Sequence, residues 1–431
     1  MKATGWILIG ILAFSLFTHF IYLSSPSEVV FDEAHYGKFS SAYLTSSSHF
    51  SGHPPLGSML ISSSGWLFNI NPDCTFLEIG QSCSPQIFFA LRFLPALFGL
   101  LCIVIFYFFI KELTSSKNLA LLGAFLLSIE NAFLVQARHI LIDSFLIFFG
   151  LLAMYLFFRA LRKNVPRKKE YLLYFLSALS FGMCISIKWT GVLILLFIIL
   201  LLIIRLIENK ISIKKFIKIT LIFAITISLV YIVIFYIHFK LIPGGGILDK
   251  YFGEGYGELS FPQKFIKMHG GMIDILTNTP LPGHPERSKF YEWPSMNKRI
   301  GYWVSENYKL QIALQGNPVV WILSTFAMFI AIISIFFRRL REEIYSSSQI
   351  LFLVVSGYLV NLLPYMMVAR DAFMYHYFPS YLFAMINFSI FMFWIKKHNQ
   401  IVFWILIILA ILGFIAISPQ TYGFPPWIPY M

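Results

Sequence analysis

The sequence predicts an all-α integral membrane protein, one bundle of about eleven membrane-crossing helices with two long connections on the same side of the bilayer. Three observations carry this. Hydrophobic residues make up 58% of the 431 and charged residues 12%, with mean hydropathy +0.75, a composition of membrane proteins rather than of soluble globules. Apolar runs recur at the length a helix needs to cross hydrocarbon. The basic residues behind a net charge of +13 gather in alternate gaps between those runs, where they set orientation. This placement argues against the nucleic-acid binding that such a charge suggests in a soluble protein.

The runs fall at 5 to 24, 87 to 110, 119 to 135, 141 to 158, 171 to 187, 191 to 208, 217 to 238, 319 to 337, 349 to 369, 377 to 395 and 401 to 418. The gaps near 135 to 141 and 187 to 191 leave room for a turn and no more. The first run follows Lys2 without a small-residue cleavage pattern, so it is expected to be a retained span. Lys111 and Lys117, Arg162 to Lys169, Arg205 to Lys215, Arg338 to Arg341, and Lys396 with Lys397 mark the cytoplasmic connections. The N-terminus is then cytoplasmic, and the connections 25 to 86 and 239 to 318 are extracytoplasmic. The whole chain, 1 to 431, reads as a single membrane domain.

The first long connection opens with VVFDEAHYGKFSSAYL and continues to HFSGHPPLG. Adjacent carboxylates, Asp32 and Glu33, just past an apolar helix suit chemistry at the membrane surface, one acting as a base and the other holding its surroundings. They equally suit the start of the next helix. On this topology Arg92, Arg138, Lys188, Arg370 and His376 all lie near the extracytoplasmic side, in places where the charge rule disfavours cations. An anionic headgroup would compensate them, and forked guanidiniums and an ammonium would stabilise a departing phosphate. Local pairing is the alternative: Arg138 with Asp143, Arg370 with Asp371, and Arg92 snorkelling. Cys74 and Cys83 share the first connection and suit a local disulfide, whereas Cys102 and Cys184 lie in spans. His35, His49 and His53 match no metal-ligand spacing, and no metal is expected.

In the second connection, 260 to 277 suits an amphipathic interfacial helix. It is followed by HPERSKFYEWPSMNKRIGYW, in which Trp293, Tyr302 and Trp303 stand among Arg287, Lys289, Lys298 and Arg299. These fit either an interfacial aromatic belt or a carbohydrate or peptide groove.

Several stretches, in order, resemble the protein O-mannosyltransferases that use a polyprenyl-phosphate-mannose donor, members of the GT-C glycosyltransferases. They are FDEAHYGKFSSAYL with HPPLG, ALRFLPALFG, ARHILIDSFLIFF, IKWTG, HPERSKFYEWP, LQGNPVVW, YHYFPS and SPQTYG. The resemblance implies a GT-C bundle and inverting transfer of mannose to Ser or Thr hydroxyls of translocated proteins. The donor is a lipid-linked sugar in the bilayer, no further cofactor is needed, and the secretion translocon is a prospective partner. It assigns Asp32 as the base, Glu33 as its positioning neighbour, Arg92, Arg138, Lys188, His376 and Arg370 to the donor phosphate, and His53, His284 and Trp293 to the acceptor and sugar pocket. The family's HPPLGK is interrupted here by Ser58. The second connection has no room for the β-trefoil domain of eukaryotic members, which implies a prokaryotic plasma-membrane enzyme. Other readings are a GT-C enzyme with a different sugar or a lipid or glycan acceptor, and a transporter, for which no internal repeat speaks.

Overall fold

In hydrocarbon a backbone satisfies its own hydrogen bonds only as a helix or closed barrel, and each apolar run is helical in the computed structural model. It describes residues 3–242, 244–277, 283, 285–307, 309–368 and 371–427. α1 (Ala3–Phe20) leads to α2 (Glu33–Leu44) and α3 (Leu56–Leu67), which lie in the first long connection. Next come α4 (Pro85–Thr114), α5 (Lys117–Ser128), α6 (Asn131–Arg138), α7 (Asp143–Ala160), α8 (Arg167–Ile185), α9 (Val192–Ile207) and α10 (Ile213–Leu241). The second connection holds α11 (Ile247–Phe252), α12 (Phe261–Thr277) and the hairpin β1 (Ile300–Val304) and β2 (Gln311–Leu314). The chain closes with α13 (Pro318–Phe336), α14 (Arg338–Ile344), α15 (Ser348–Leu362), α16 (Phe378–His398) and α17 (Gln400–Tyr422).

About eleven spans are expected from the apolar runs. Among the described residues eight helices are long and apolar enough to cross a bilayer, and α5 with α6 makes a ninth only as one span bent by 63°. α1 is shorter, and α8 spends its first turn on Arg167, Lys168, Lys169 and Glu170. Apolar periodicity identified the helices, and eight of those described cross by length and composition alone.

The bend between α5 and α6 has a chemical cause. Glu130, 0% exposed, accepts from the Ala132 and Asn317 amides at 3.2 and 2.9 Å and from the Tyr381 hydroxyl at 2.6 Å. It thus caps the start of α6 and ties the break to α13 and α16. Asn317 caps α13 through Val319 and Val320, and its amide donates to Ile129 and Ala410 carbonyls at 3.1 and 2.8 Å. A redirected α6 carries Gln136 and Arg138 to the face occupied by the long connections.

That face is closely packed. A Cβ on Gly57 would stand 2.5 Å from Ile142 Cγ2, so α3 lies directly on the turn between α6 and α7. Cys74 and Cys83 form the expected disulfide. The hairpin pairs antiparallel, Ile300 with Leu314 and Gly301 with Ala313, then shifts so that Trp303 faces Ile312. Tyr302 is the extra residue of this bulge, and both it and Trp303 turn inward.

His49, in the turn between α2 and α3, is buried against Tyr43 and His238, and its Nδ1 has no hydrogen-bond partner among the described residues. Burial pushes its pKa down to about 4. The unfolded chain therefore binds a proton that the folded chain refuses, and stability rises with pH across this interval. We expect His49 to cost about 3 kcal/mol as pH falls from 6.5 to 4. Unfolding midpoints across that range should drop more steeply in the native chain than in His49→Phe.

Candidate active site

The two adjacent acids have separate environments. Glu33 is fully buried and forms a two-pronged ion pair with Arg92, Nε to Oε1 at 2.7 Å and Nη2 to Oε2 at 2.8 Å. It also accepts from the Val30 and Ile140 amides, each at 2.9 Å. Burial, the largest single influence, works to raise its pKa, but the guanidinium, His139 and the Ile140 amide together outweigh it, so the carboxyl is held below the usual carboxylate range. Glu33 thereby pins the first connection to α4 and to the turn before α7.

Asp32 is presented by that pinned turn. It precedes α2 without a side-chain capping bond and is half-buried. Phe31 before it takes a left-handed backbone, φ 49°, held by its amide bond to the Tyr302 carbonyl at 2.9 Å and by ring stacking on Tyr302 at 4.1 Å. Burial, and then the Asp32 carboxylate, push the Tyr302 phenol well above its ordinary pKa, which places the two groups close together. Asp32 is thus the acid of the pair that keeps exposed surface.

A groove of about 900 Å³ lies between α9, α10, α12 and the segment after α15. Ile185, Val192, Leu193, Ile227, Phe265 and Leu276 make its walls largely apolar. Lys188, Tyr375, His376, His53 and Asp371 supply its polar side chains. Lys188 is 4% exposed, bonds Asp143 Oδ1 at 3.2 Å and lies 4.9 Å from the centre of the Tyr375 ring. Tyr375 meets Phe31 edge-on at 6.4 Å, so the neighbour of Asp32 and the cation share one aromatic wall. His376 has its Nδ1 against the backbone of Phe373, 3.0 Å from the oxygen. His53 stacks on Tyr36 at 6.4 Å at the same rim. An apolar groove lined by a buried ammonium and an imidazole can hold an amphiphile with an anionic head.

Residues 9–242 match the family model described as dolichyl-phosphate-mannose-protein mannosyltransferase, and 261–428 match that of the C-terminal four-span region of protein O-mannosyltransferase. The chain belongs to this family. Among curated relatives it is 32% identical over 246 residues to dolichyl-phosphate-mannose–protein mannosyltransferase 6 of Saccharomyces cerevisiae, covering 55% of this chain and 32% of that protein. With mouse protein O-mannosyl-transferase 1 the identity is 35% over 190 residues, 43% of this chain and 26% of the relative. The match spans about a third or less of these relatives' length. In structure the chain is similar to one in the S. cerevisiae protein O-mannosyltransferase Pmt1-Pmt2 complex bound to the sugar donor, with TM-score 0.87, 18% identity, and 99% and 91% of the two chains covered. ArnT from Cupriavidus metallidurans is a more distant GT-C neighbour, with TM-score 0.60, 12% identity, and 94% and 63% covered.

Within this mannosyltransferase-family fold several expected site residues are placed elsewhere. Arg92 is 0% exposed, and all five of its N–H groups are used, on Glu33 and on the Leu23, Pro26 and Glu28 carbonyls. Every donor of Arg92 is thus taken by the protein in this arrangement. Arg138 is likewise engaged by acceptors of the protein itself. It donates to the Thr18, His19, Ile21 and Tyr22 carbonyls at 2.6 to 3.3 Å and lies 4.5 Å from the Tyr422 ring centre. It therefore caps the C-terminal end of α1, where free carbonyls and the helix dipole favour a cation. Trp293, 1% exposed, is a core residue rather than a pocket wall, with Nε1 on Ser288 and its carbonyl taken by Trp321. Arg370 and His284 lie outside the described residues.

Residues that sequence reasoning missed complete the site. Asp143 pairs with Lys188, not with Arg138, and Gln136 donates to its other oxygen at 2.7 Å. Asp371, expected beside Arg370, is bonded by Arg287 at 3.2 Å. The signal for Asp143 was present, an acid at the mouth of an apolar run, but its partner lies 45 residues away.

Proposed function

We propose that this chain is an inverting glycosyltransferase that moves mannose from a polyprenyl-phosphate-mannose donor to Ser or Thr hydroxyls of proteins on the extracytoplasmic face. The observation that carries the reading is the largely apolar groove lined by Lys188, His376 and Tyr375, the last of which meets the ring of Phe31, the neighbour of Asp32. The isoprenoid lies along the apolar walls, and its phosphate meets the ammonium and imidazole. Asp32 takes the proton of the acceptor hydroxyl as that oxygen attacks the anomeric carbon from the face opposite the phosphate. The carbon–phosphate-oxygen bond breaks, polyprenyl phosphate leaves with the electron pair, and anomeric configuration inverts. The cations stabilise charge as it develops on the leaving group.

Glu33 and Arg92 serve this reaction by holding the turn that bears Asp32, and His53 shapes the rim. Family membership, the names of the relatives and the fold shared with the donor-bound complex support the donor and acceptor classes. The distribution of basic residues supports a cytoplasmic N-terminus, and the short second connection supports a prokaryotic plasma-membrane setting, with the translocated protein as partner.

The test is transfer of labelled mannose from polyprenyl-phosphate-mannose to a Ser/Thr-rich peptide by the purified chain in liposomes. Product with inverted configuration is expected. Donor binding without transfer to any peptide, but with transfer to a lipid or glycan, would replace the protein acceptor in this reading. Lys188→Ala should weaken polyprenyl phosphate binding by a factor on the order of 30, measured by titration calorimetry, because a charge-assisted bond is lost.

A further inference from the structure

Tyr302 touches both poles of the site. Its carbonyl and ring hold Phe31 and so fix the turn that presents Asp32. Its hydroxyl donates to Gln136 Oε1, Gln136 Nε2 donates to Asp143 Oδ2 at 2.7 Å, and Asp143 Oδ1 accepts from Lys188 at 3.2 Å. All four residues are at most 6% exposed. Burial makes each of these bonds expensive to leave unmade.

The chain of bonds also has one direction. A carboxylate accepts only, so the Gln136 amide must turn its N–H₂ to Asp143 and its oxygen to the phenol. The opposite amide orientation would set oxygen against oxygen at Asp143. The phenol keeps its proton because burial and Asp32 both favour the neutral form. The bulge brings the phenol to this chain: a regular strand would alternate Tyr302 and Trp303 to opposite faces, whereas both turn inward.

We propose that Tyr302 is a positioning residue which, through Gln136 and Asp143, sets the place of the Lys188 ammonium relative to the Asp32 carboxylate. It rests on the reading of Lys188 as the donor-phosphate cation. One residue of the second connection then registers the base, through its backbone and ring, and the leaving-group cation, through its hydroxyl. An ammonium has three donors, and Asp143 takes one of them, orienting the others. A Lys188 released from this chain would place its charge over a wider range of positions at the end of the groove and bind phosphate less well.

Tyr302→Phe keeps the ring, the stacking and the backbone bond and removes only the hydroxyl. Gln136→Leu breaks the next link. Polyprenyl phosphate binding and steady-state kinetics would be measured for both variants and for the double variant in lipid nanodiscs. Each single variant is expected to bind polyprenyl phosphate about tenfold more weakly and to raise the donor KM, with acceptor KM unchanged. The double variant should be no worse than the weaker single, because the same chain is already broken. Losses that multiply in the double variant, or lowered unfolding midpoints with unchanged phosphate affinity, would overturn the relay while leaving the phosphate site intact. Failure of the native chain to bind polyprenyl phosphate would overturn the site reading and the relay together.

Discussion

Asp32→Asn will abolish mannosyl transfer while leaving polyprenyl phosphate binding within a factor of about two, with kcat lowered by about 10³ or more. The reason lies in the separation of the two acids. Glu33 is committed to Arg92 and two backbone amides, and its carboxyl has no exposed surface from which to reach an acceptor. Asp32 is half-buried just before α2. An amide in place of its carboxylate preserves size but cannot take a proton. Single-turnover transfer from labelled donor, alongside calorimetric binding of polyprenyl phosphate, separates the chemical step from donor affinity. A variant that still transfers at near-native rate would remove Asp32 from the role of base.

Arg92→Met will cost about 3–5 kcal/mol of stability, because it leaves Glu33 as an uncompensated charge in a fully buried site. Glu33→Leu should be similarly damaging, since it strands the guanidinium. The double variant Glu33→Leu/Arg92→Met should recover most of the loss, as replacement of a whole buried pair by apolar groups is often neutral. The measurement is the unfolding midpoint of each protein in the same detergent, with the monodisperse fraction as a second readout. A phosphate-binding Arg92 gives the opposite pattern: an unchanged midpoint in Arg92→Met, a large loss of polyprenyl phosphate affinity, and no recovery in the double variant. These outcomes distinguish the role expected from sequence from the one its hydrogen bonds describe.

Both predictions turn on a distinction invisible in the one-dimensional order DE. Two neighbouring carboxylates on adjoining positions point in different directions at a helix start, and only packing decides which meets a cation. The same holds for the basic residues. Arg92, Arg138 and Lys188 were legible as cations near one side of the membrane, and they do gather around the connections. Arg92 holds a carboxylate 59 residues away, Arg138 closes the end of α1, and Lys188 reaches the groove. A guanidinium in apolar surroundings takes every acceptor within reach, backbone carbonyls included, because an unmade bond there is costly. Functional and structural arginines therefore look alike until their acceptors are counted.

The sequence by itself determined the all-α membrane class, the position of each helical run and the first connection as the place of the acids, and it allowed the Cys74–Cys83 pair that the fold then forms. These depend on hydrophobic length, helical period and nearby residues, all of which are local. Tertiary structure decided the bend at Glu130, the burial of Trp293, the pairing of Asp143 with Lys188 and the link from Tyr302 to Gln136, 166 residues apart. These depend on which polar groups are brought together where water is excluded. There each buried donor must find an acceptor wherever the fold supplies one, and distance along the chain carries no weight in that choice.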